Sequence, residues 1–234
     1  IVVVSIMPCT AKKFEASRDE LTTNGLPTID VSLTTRELAK MIKKSGIKFT
    51  ELPDEVCDPF LGMASGAAHI FGATGGVMEA ALRTVYEILE GKPLENLDIH
   101  AVRGTDAIKE ATVHVAGMDV NVAVTSGLEN ASKLLDMVRS GEKNYHFIEV
   151  MACPGGCVNG GGQPHQPGYV RNFTDLRADR AAGLYGEDAN MELRKSHENP
   201  EVQQLYKEYL GEPGSHKAHE LLHTHYVKRE IYKK

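Results

Sequence analysis

The segment Cys153-Pro154-Gly155-Gly156-Cys157-Val158-Asn159-Gly160-Gly161-Gly162 constrains this chain more than any other. It sets two thiols four residues apart on backbone that a proline and several glycines keep out of regular helix. The apolar run Phe147-Ile148-Glu149-Val150-Met151 leads into it and reads as a buried strand ending at the first thiol. A strand that delivers two sulfurs into a glycine-lined cavity suits a bulky inorganic ligand, because glycine lets backbone N–H groups come close. A second segment follows the same plan: the run Ile1 to Ile6 ends in Met7-Pro8-Cys9-Thr10-Ala11-Lys12-Lys13. In an open α/β sheet, ligands gather at the carboxyl ends of strands. Cys9, Cys153 and Cys157 are therefore candidate metal ligands. The alternative is three buried thiols acting as small hydrophobes, although C-x3-C amid glycines favours metal over a disulfide. Met7 and Met151 each lie two residues before a cysteine, so on a strand each shares its cysteine's face. Core packing is the competing reading of both.

The rest of the chain reads as α/β, a partly parallel sheet flanked by helices with a helical C-terminal tail wrapping the core. Ile1–Ile6 has the β-branched density of a strand buried on both faces. Thr35 to Lys44 predicts a helix with Leu38, Met41 and Ile42 on one side. From Gly75, Met78, Ala81, Leu82, Val85, Ile88 and Leu89 keep helical spacing until Gly91-Lys92-Pro93 ends it. Ile99–Val102 and Val113–Val115 are short strand candidates, and Val120–Thr125 alternates. A helix carrying Ala131, Leu134, Leu135 and Val138 then precedes the strand into Cys153, which makes a βαβ unit. Two divisions are expected, a cluster-binding lobe over 1–159 and a wrapping tail over 160–234, with short helices around Glu201–Leu210 and Lys217–His223. The net charge of −6 argues against nucleic acid or an anionic membrane as partner, and no run approaches the ~20 apolar residues of a membrane span. Ile1 opens directly on a strand, which predicts the continuation of a longer chain. With no secretion signal, the cytoplasm is the expected compartment, the periplasm being the alternative.

Two motifs look like chemistry and are set aside. His219-Glu220-Leu221-Leu222-His223 matches H-E-x-x-H, but no downstream carboxylate or histidine completes a zinc-protease set. Gly72-Ala73-Thr74-Gly75-Gly76 hints at a phosphate loop, yet lacks both the dinucleotide fingerprint and the P-loop Gly-Lys-Ser/Thr. Tight helix packing is the better reading there.

Met-Pro-Cys-Thr-Ala-Lys-Lys-Phe-Glu-Ala (7–16) and Phe-Ile-Glu-Val-Met-Ala-Cys-Pro-Gly-Gly-Cys-Val-Asn-Gly-Gly-Gly-Gln-Pro (147–164) resemble the second and third signatures of the [FeFe]-hydrogenase (iron hydrogenase) catalytic domain. Phe71 to Arg83 resembles its glycine-rich stretch, and Ser196 to Tyr226 is similar to its small-subunit region. The first signature, a Thr-Ser-Cys-Cys-Pro type loop, is absent. The resemblance implies an oxidoreductase that reversibly reduces protons to H2, with electrons passing through a [4Fe–4S] cube to a di-iron subsite bearing CO, CN and a bridging dithiolate (the H-cluster). It implies that Cys9, Cys153 and Cys157 are three of the four cube ligands, with Cys157 bridging to the di-iron subsite. It also gives Lys12 a charge-assisted hydrogen bond to a cyanide, leaving Lys13 to solvent, and makes Met7 and Met151 apolar walls of the catalytic cavity. Pro8, Phe71, Gly155 and Gly156 are further wall candidates. The fourth thiol and the proton-relay cysteine belong to the missing signature, so an upstream half of the domain is an expected partner. A ferredoxin-like carrier or iron–sulfur domain would supply electrons. Cys57 lies outside every signature and is expected to be merely packed. The alternative function is a non-catalytic iron–sulfur assembly or redox-sensor protein on the same scaffold, a class that tends to lose the lysine and methionines retained here.

Overall fold

A computed structural model describes residues 1–228. In chain order it contains β1 (Val4–Met7), α1 (Ala11–Glu15), the two-residue strands β2 (Thr22–Thr23) and β3 (Leu26–Pro27), β4 (Val31–Thr34), α2 (Thr35–Lys44), α3 (Gly66–Ile70) and α4 (Gly76–Glu90). There follow β5 (Ile108–Val115), β6 (Met118–Ser126), α5 (Leu128–Arg139), β7 (Phe147–Met151), α6 (Gly168–Phe173), α7 (Leu176–Asn190), α8 (Pro200–Leu205) and α9 (His216–Leu222). The class is mixed α/β, as the pattern of runs implied.

Two separate sheets carry the cysteine loops. β1 pairs in parallel with β4, Met7 opposite Thr34, while β5 pairs antiparallel with β6 and β6 parallel with β7, Ser126 opposite Met151. The β6–α5–β7 crossover is the expected βαβ unit. Helix α4 lays Met78 and Leu82 on Val102, Val122 and Val124 to make the core. Thr34 starts α2 with a capping box closed by Glu37, which ties the first turn of α2 to the end of β4.

Several expectations are corrected. β1 is not buried on both faces: Val2, Val4 and Ile6 are exposed, because among the described residues β1 pairs only with β4. Ile99–Val102 is no strand; residues 100–102 form a 3-10 turn that drops Val102 into the core. Val120–Thr125 lies in a strand, yet Val122 to Ser126 are all buried rather than alternately exposed, since α4 meets the valines and α5 also contacts β6. In β7 the apolar Phe147 and Val150 are about half exposed while Glu149 is buried. Its carboxylate oxygens accept the N–H groups of Gly75 (2.7 Å) and Met78 (2.8 Å) at the start of α4, where a helix's unpaired donors and positive end favour an anion.

The C-terminal residues described here pack on the core. Beyond the two expected short helices, here α8 and α9, they include α7, which lies against α3. Asp188 of α7, fully buried, accepts both guanidinium nitrogens of the buried Arg83 (2.8 Å each) and one of Arg194 (2.6 Å). Arg83 also reaches the buried Glu79 (2.6 Å), which Arg103 engages in turn. The expected tail's residues 229–234 lie outside the described ones.

Candidate metal centre

Cys9 follows β1 and Cys153 follows β7, both half-buried, and Cys157 opens a 3-10 turn over residues 157–159. Glycines join the two loops. Gly162 donates its N–H to the Pro8 carbonyl (2.9 Å). A Cβ on Gly160 would lie 2.0 Å from that carbonyl oxygen, and one on Gly162 2.8 Å from Thr34 Cβ. No side chain fits between these backbones, so glycine here permits loop-on-loop contact. The Cys153–Cys157 loop also rests on the 72–76 turn, with Val158 N–H donating to Gly72 O (2.9 Å) and Thr74 N–H to Gly155 O (3.1 Å).

Gly155 and Gly156 were expected to line the ligand cavity. Both are buried with φ of +84° and +93°, but their open Cβ directions face protein. Gly155 meets the Arg177 side chain at 3.1 Å and Gly156 meets Thr74 N at 2.6 Å. The Gly156 N–H is taken by Cys153 O (2.9 Å). Gly72, Gly75 and Gly76 are packing glycines, the last two leaving a would-be Cβ within 1.9 Å of a carbonyl oxygen, in keeping with the tight packing expected of this stretch.

Electrostatics bring the thiols together. Although Cys157 is an exposed residue, burial of its thiol is the first cause that pushes its pKa up, followed by the nearby Cys9 and Cys153, with Lys12 opposing. Groups from two separate strand ends thus act on the Cys157 thiol. A single zinc at about 2.3 Å from each sulfur would need sulfurs within about 4 Å. Among the described residues, the groups with three candidate ligand atoms mutually within 4.8 Å are Glu87–His197–Glu198 and Glu79–Asp98–Asp188, not the thiols. Both of those groups are laced with Lys or Arg. Three interacting thiols spread wider than a single-ion site fit the corners of a multi-iron cluster.

Lys12, the second residue of α1, has its ammonium on Glu15 (2.8 Å). Lys13, expected in solvent, is exposed; it also donates to Ser32 O (2.9 Å) and pairs with Glu37 (2.8 Å), tying α1 to β4 and α2. Met7, Pro8 and Met151 are half-buried beside their cysteines, and Phe71 is 43% exposed after α3. Cys57 is exposed rather than packed and is not among the groups that shift Cys157. In the H-E-x-x-H segment, α9 ends at Leu222 and His223 is extended, so its two histidines, with ring centroids 4.4 Å apart, do not share one helix. Pattern reading missed Thr34, Arg36 and Arg177 around the loops. Arg36 donates to the carbonyls of Gly162 (3.2 Å, main chain) and Gln163 (2.7 Å, side chain), contacts no periodicity encodes.

The α/β fold brings thiol-bearing loops together from two strand ends, and comparison supplies its family. Residues 1–161 match the model for the iron only hydrogenase large subunit, C-terminal domain, and residues 174–229 that for the iron hydrogenase small subunit. The chain belongs to the iron-only hydrogenase family. It is 52% identical over 230 residues to the NADP-reducing hydrogenase subunit HndD of Solidesulfovibrio fructosivorans, covering 98% of this chain and 38% of that one. Iron hydrogenase 1 of Clostridium pasteurianum is 50% identical, with 97% and 40% covered. A variant of the [FeFe]-hydrogenase HydA1 from Chlamydomonas reinhardtii superposes with a TM-score of 0.77 at 43% identity over 97% of this chain and 63% of its own. The chain therefore spans about two-fifths of the length of these two curated relatives. At 32% identity lies Protein NAR1 of Arabidopsis thaliana, 95% of this chain and 49% of that one being covered; similar proteins are described as cytosolic iron–sulfur assembly components. No helix among the described residues is long and apolar enough to cross a membrane.

Proposed function

We propose that this chain is the part of a hydrogenase catalytic domain that holds three thiolate ligands of the H-cluster and serves the reversible conversion of two protons and two electrons to H2. The observation carrying this reading is the backbone contact that joins the Cys9 loop to the Cys153–Cys157 loop, Gly162 N–H on Pro8 O (2.9 Å) with no room for a Cβ on Gly160 between Pro8 O and Cys157 O. Cys9, Cys153 and Cys157 would hold the cube, with Cys157 shared with the di-iron subsite. Bound there, the H-cluster supplies the electron relay and the iron chemistry. What the chain's own residues do is simpler. Lys12 offers a fixed cation and N–H donors to an anionic ligand, and Met7, Pro8, Phe71 and Met151 present apolar surface that limits water. Gly155 and Gly156 set the loop's turn and its contacts rather than touching the ligand. The fourth thiolate and the proton-relay group would come from an upstream part of the domain, and electrons from a ferredoxin-like carrier or iron–sulfur domain. Residues 1–159 would then be the cluster lobe and 160–234 the wrapping tail. Four unpaired thiols suit the reducing cytoplasm.

A non-catalytic assembly or sensor role is the second reading, favoured by the resemblance to Protein NAR1. Retention of Met7, Lys12 and Met151 speaks for the enzyme. Infrared spectroscopy of the anaerobically loaded protein, joined to its upstream portion, separates the two. Iron-bound CO and CN bands together with hydrogen evolution from reduced viologen are expected; a cube without those bands would establish the second reading.

A further inference from the structure

Lys109 is a charged residue near the start of β5, only 7% exposed, and nothing above uses it. Its ammonium donates to two carbonyls, Thr74 O and Gly104 O, each at 2.9 Å. Burial pushes its pKa down to about 8 against the opposing pull of Glu149 and Asp106. A lysine kept in such a place costs desolvation that only its contacts offset. Those contacts lead to the thiol loop. Thr74, whose carbonyl Lys109 holds, donates its N–H to Gly155 O, midway between Cys153 and Cys157, and Gly72 O takes the N–H of Val158. The 72–76 turn thus grips the loop on both sides of Cys157. The same turn is held from the other side by Glu149, through Gly75 N–H and Met78 N–H.

We propose that Lys109 is a positioning residue for the Cys153–Cys157 thiolates, acting through Thr74, with Glu149 as the second anchor of the same turn. The proposal rests on the reading of those thiols as cluster ligands. Lys109 touches neither thiol; it fixes the carbonyl side of the peptide unit whose neighbour holds Gly155. Its charge also attracts Glu149, whose carboxylate is held by the Gly75 and Met78 N–H groups on the other side of the turn. Arginine can stand in, since a cavity of about 240 Å³ bordered by Thr74, Gly104 and Gly155 adjoins the site and a guanidinium offers forked donors to two carbonyls.

The test compares Lys109→Met and Lys109→Arg with the unaltered full chain. Amide hydrogen exchange is read before metal loading, and iron loss to a chelator after anaerobic reconstitution with iron and sulfide. Lys109→Met should raise exchange at Thr74 and Val158 at least tenfold, leave Leu134 in α5 within twofold, and speed iron loss at least tenfold; Lys109→Arg should restore most of both. Exchange that rises equally at Leu134 would make Lys109 merely structural and overturn the proposal, as would unchanged exchange at Thr74. If Lys109→Met does not fold, Lys109→Gln, which keeps a donor without the charge, decides by the same readings at smaller amplitude. The exchange arm needs no cluster, so a shift at Thr74 in a chain that takes up no iron even when joined to its upstream portion would sink the hydrogenase reading and not the grip on the loop.

Discussion

Replacing Gly160 by alanine tests whether the two cysteine loops are held by backbone contact. Gly160 has φ −61° and ψ 149°, an extended conformation any residue adopts, so on backbone grounds alanine should stabilise by about 0.4–1 kcal/mol through the unfolded chain. Sterics oppose this. The new Cβ would lie 2.0 Å from the Pro8 carbonyl oxygen, 2.8 Å from Pro8 C and 3.0 Å from Cys157 O, all of them backbone. Pro8 would have to retreat by about an ångström, at an overpacking cost of about 1–3 kcal/mol. Its carbonyl would also loosen the bond from Gly162 N–H, worth about 1 kcal/mol. The net expectation is a loss of about 2 kcal/mol, or a melting point about 4–8 °C lower for a chain of this size. Iron retained after reconstitution should fall with it, because Cys9 sits next to the displaced Pro8. Gly168→Ala is the control, having no atom within 4 Å of its would-be Cβ and lying in α6, where alanine favours the helix. Scanning calorimetry and iron content give both numbers. A Gly160→Ala chain that melts at or above the unaltered protein and keeps its iron would refute the reasoning.

Three further outcomes are expected. Cys153→Ala or Cys157→Ala should abolish cluster retention while Cys57→Ala, at an exposed site away from the other thiols, leaves iron content unchanged; iron lost in Cys57→Ala would make that thiol the fourth ligand. Lys12→Ala should lower di-iron occupancy more than cube occupancy, by roughly the 2–4 kcal/mol of a lost charge-assisted contact, and equal CO and CN band intensities in that variant would defeat its assignment. Burial alone would raise the carboxyl pKa of Asp188, but hydrogen bonds from Arg83 and Arg194 outweigh it and hold it at about 2. The stability it contributes, of order 2 kcal/mol, is present above about pH 4 and lost as pH falls toward 2. Asp188→Asn should flatten that acid limb in urea titrations and cost about 3 kcal/mol at neutral pH by leaving Arg83 poorly compensated, whereas an unchanged acid limb would mean other carboxylates govern it.

What the sequence shows plainly is whatever repeats locally. The apolar spacing of α4, the β6–α5–β7 crossover and the two strand-then-thiol plans are periodic or contiguous, so they survive in one dimension. Glu149 does not, because a carboxylate on a strand normally marks a solvated face, and its partners are helix donors more than 70 positions away in the chain. Lys109 is hidden for the same reason. Helix α7 escaped because Gly183 and Gly186 break its run and because its most buried residue, Asp188, is charged. The glycines of the cysteine loop were legible as necessary, but their packing was not: Gly156, Gly160 and Gly162 sit against backbone of the neighbouring loops, contacts that no local pattern encodes.

That difference bears on how the site is held. Among the described residues β1 and β4 pair only with each other, and β7 belongs to another sheet, so no ladder hydrogen bond there fixes Cys9 relative to Cys153 and Cys157. Their spacing depends on Gly160 and Gly162 against Pro8 and on Arg36 against the 162–163 carbonyls. A ligand bound by all three thiols would therefore also act as a cross-link between two sheets. Anything that binds the folded junction alone stabilises it by RT ln(1 + [L]/Kd), about 2.7 kcal/mol at a hundredfold excess over Kd. Reconstitution should accordingly raise the melting point of the unaltered chain. Cys153→Ala should lose that increment while starting from a similar unloaded value, and Gly160→Ala should lower both. Loading that left the melting point where it was would mean that the ligand spans one loop only, with Cys9 outside its shell.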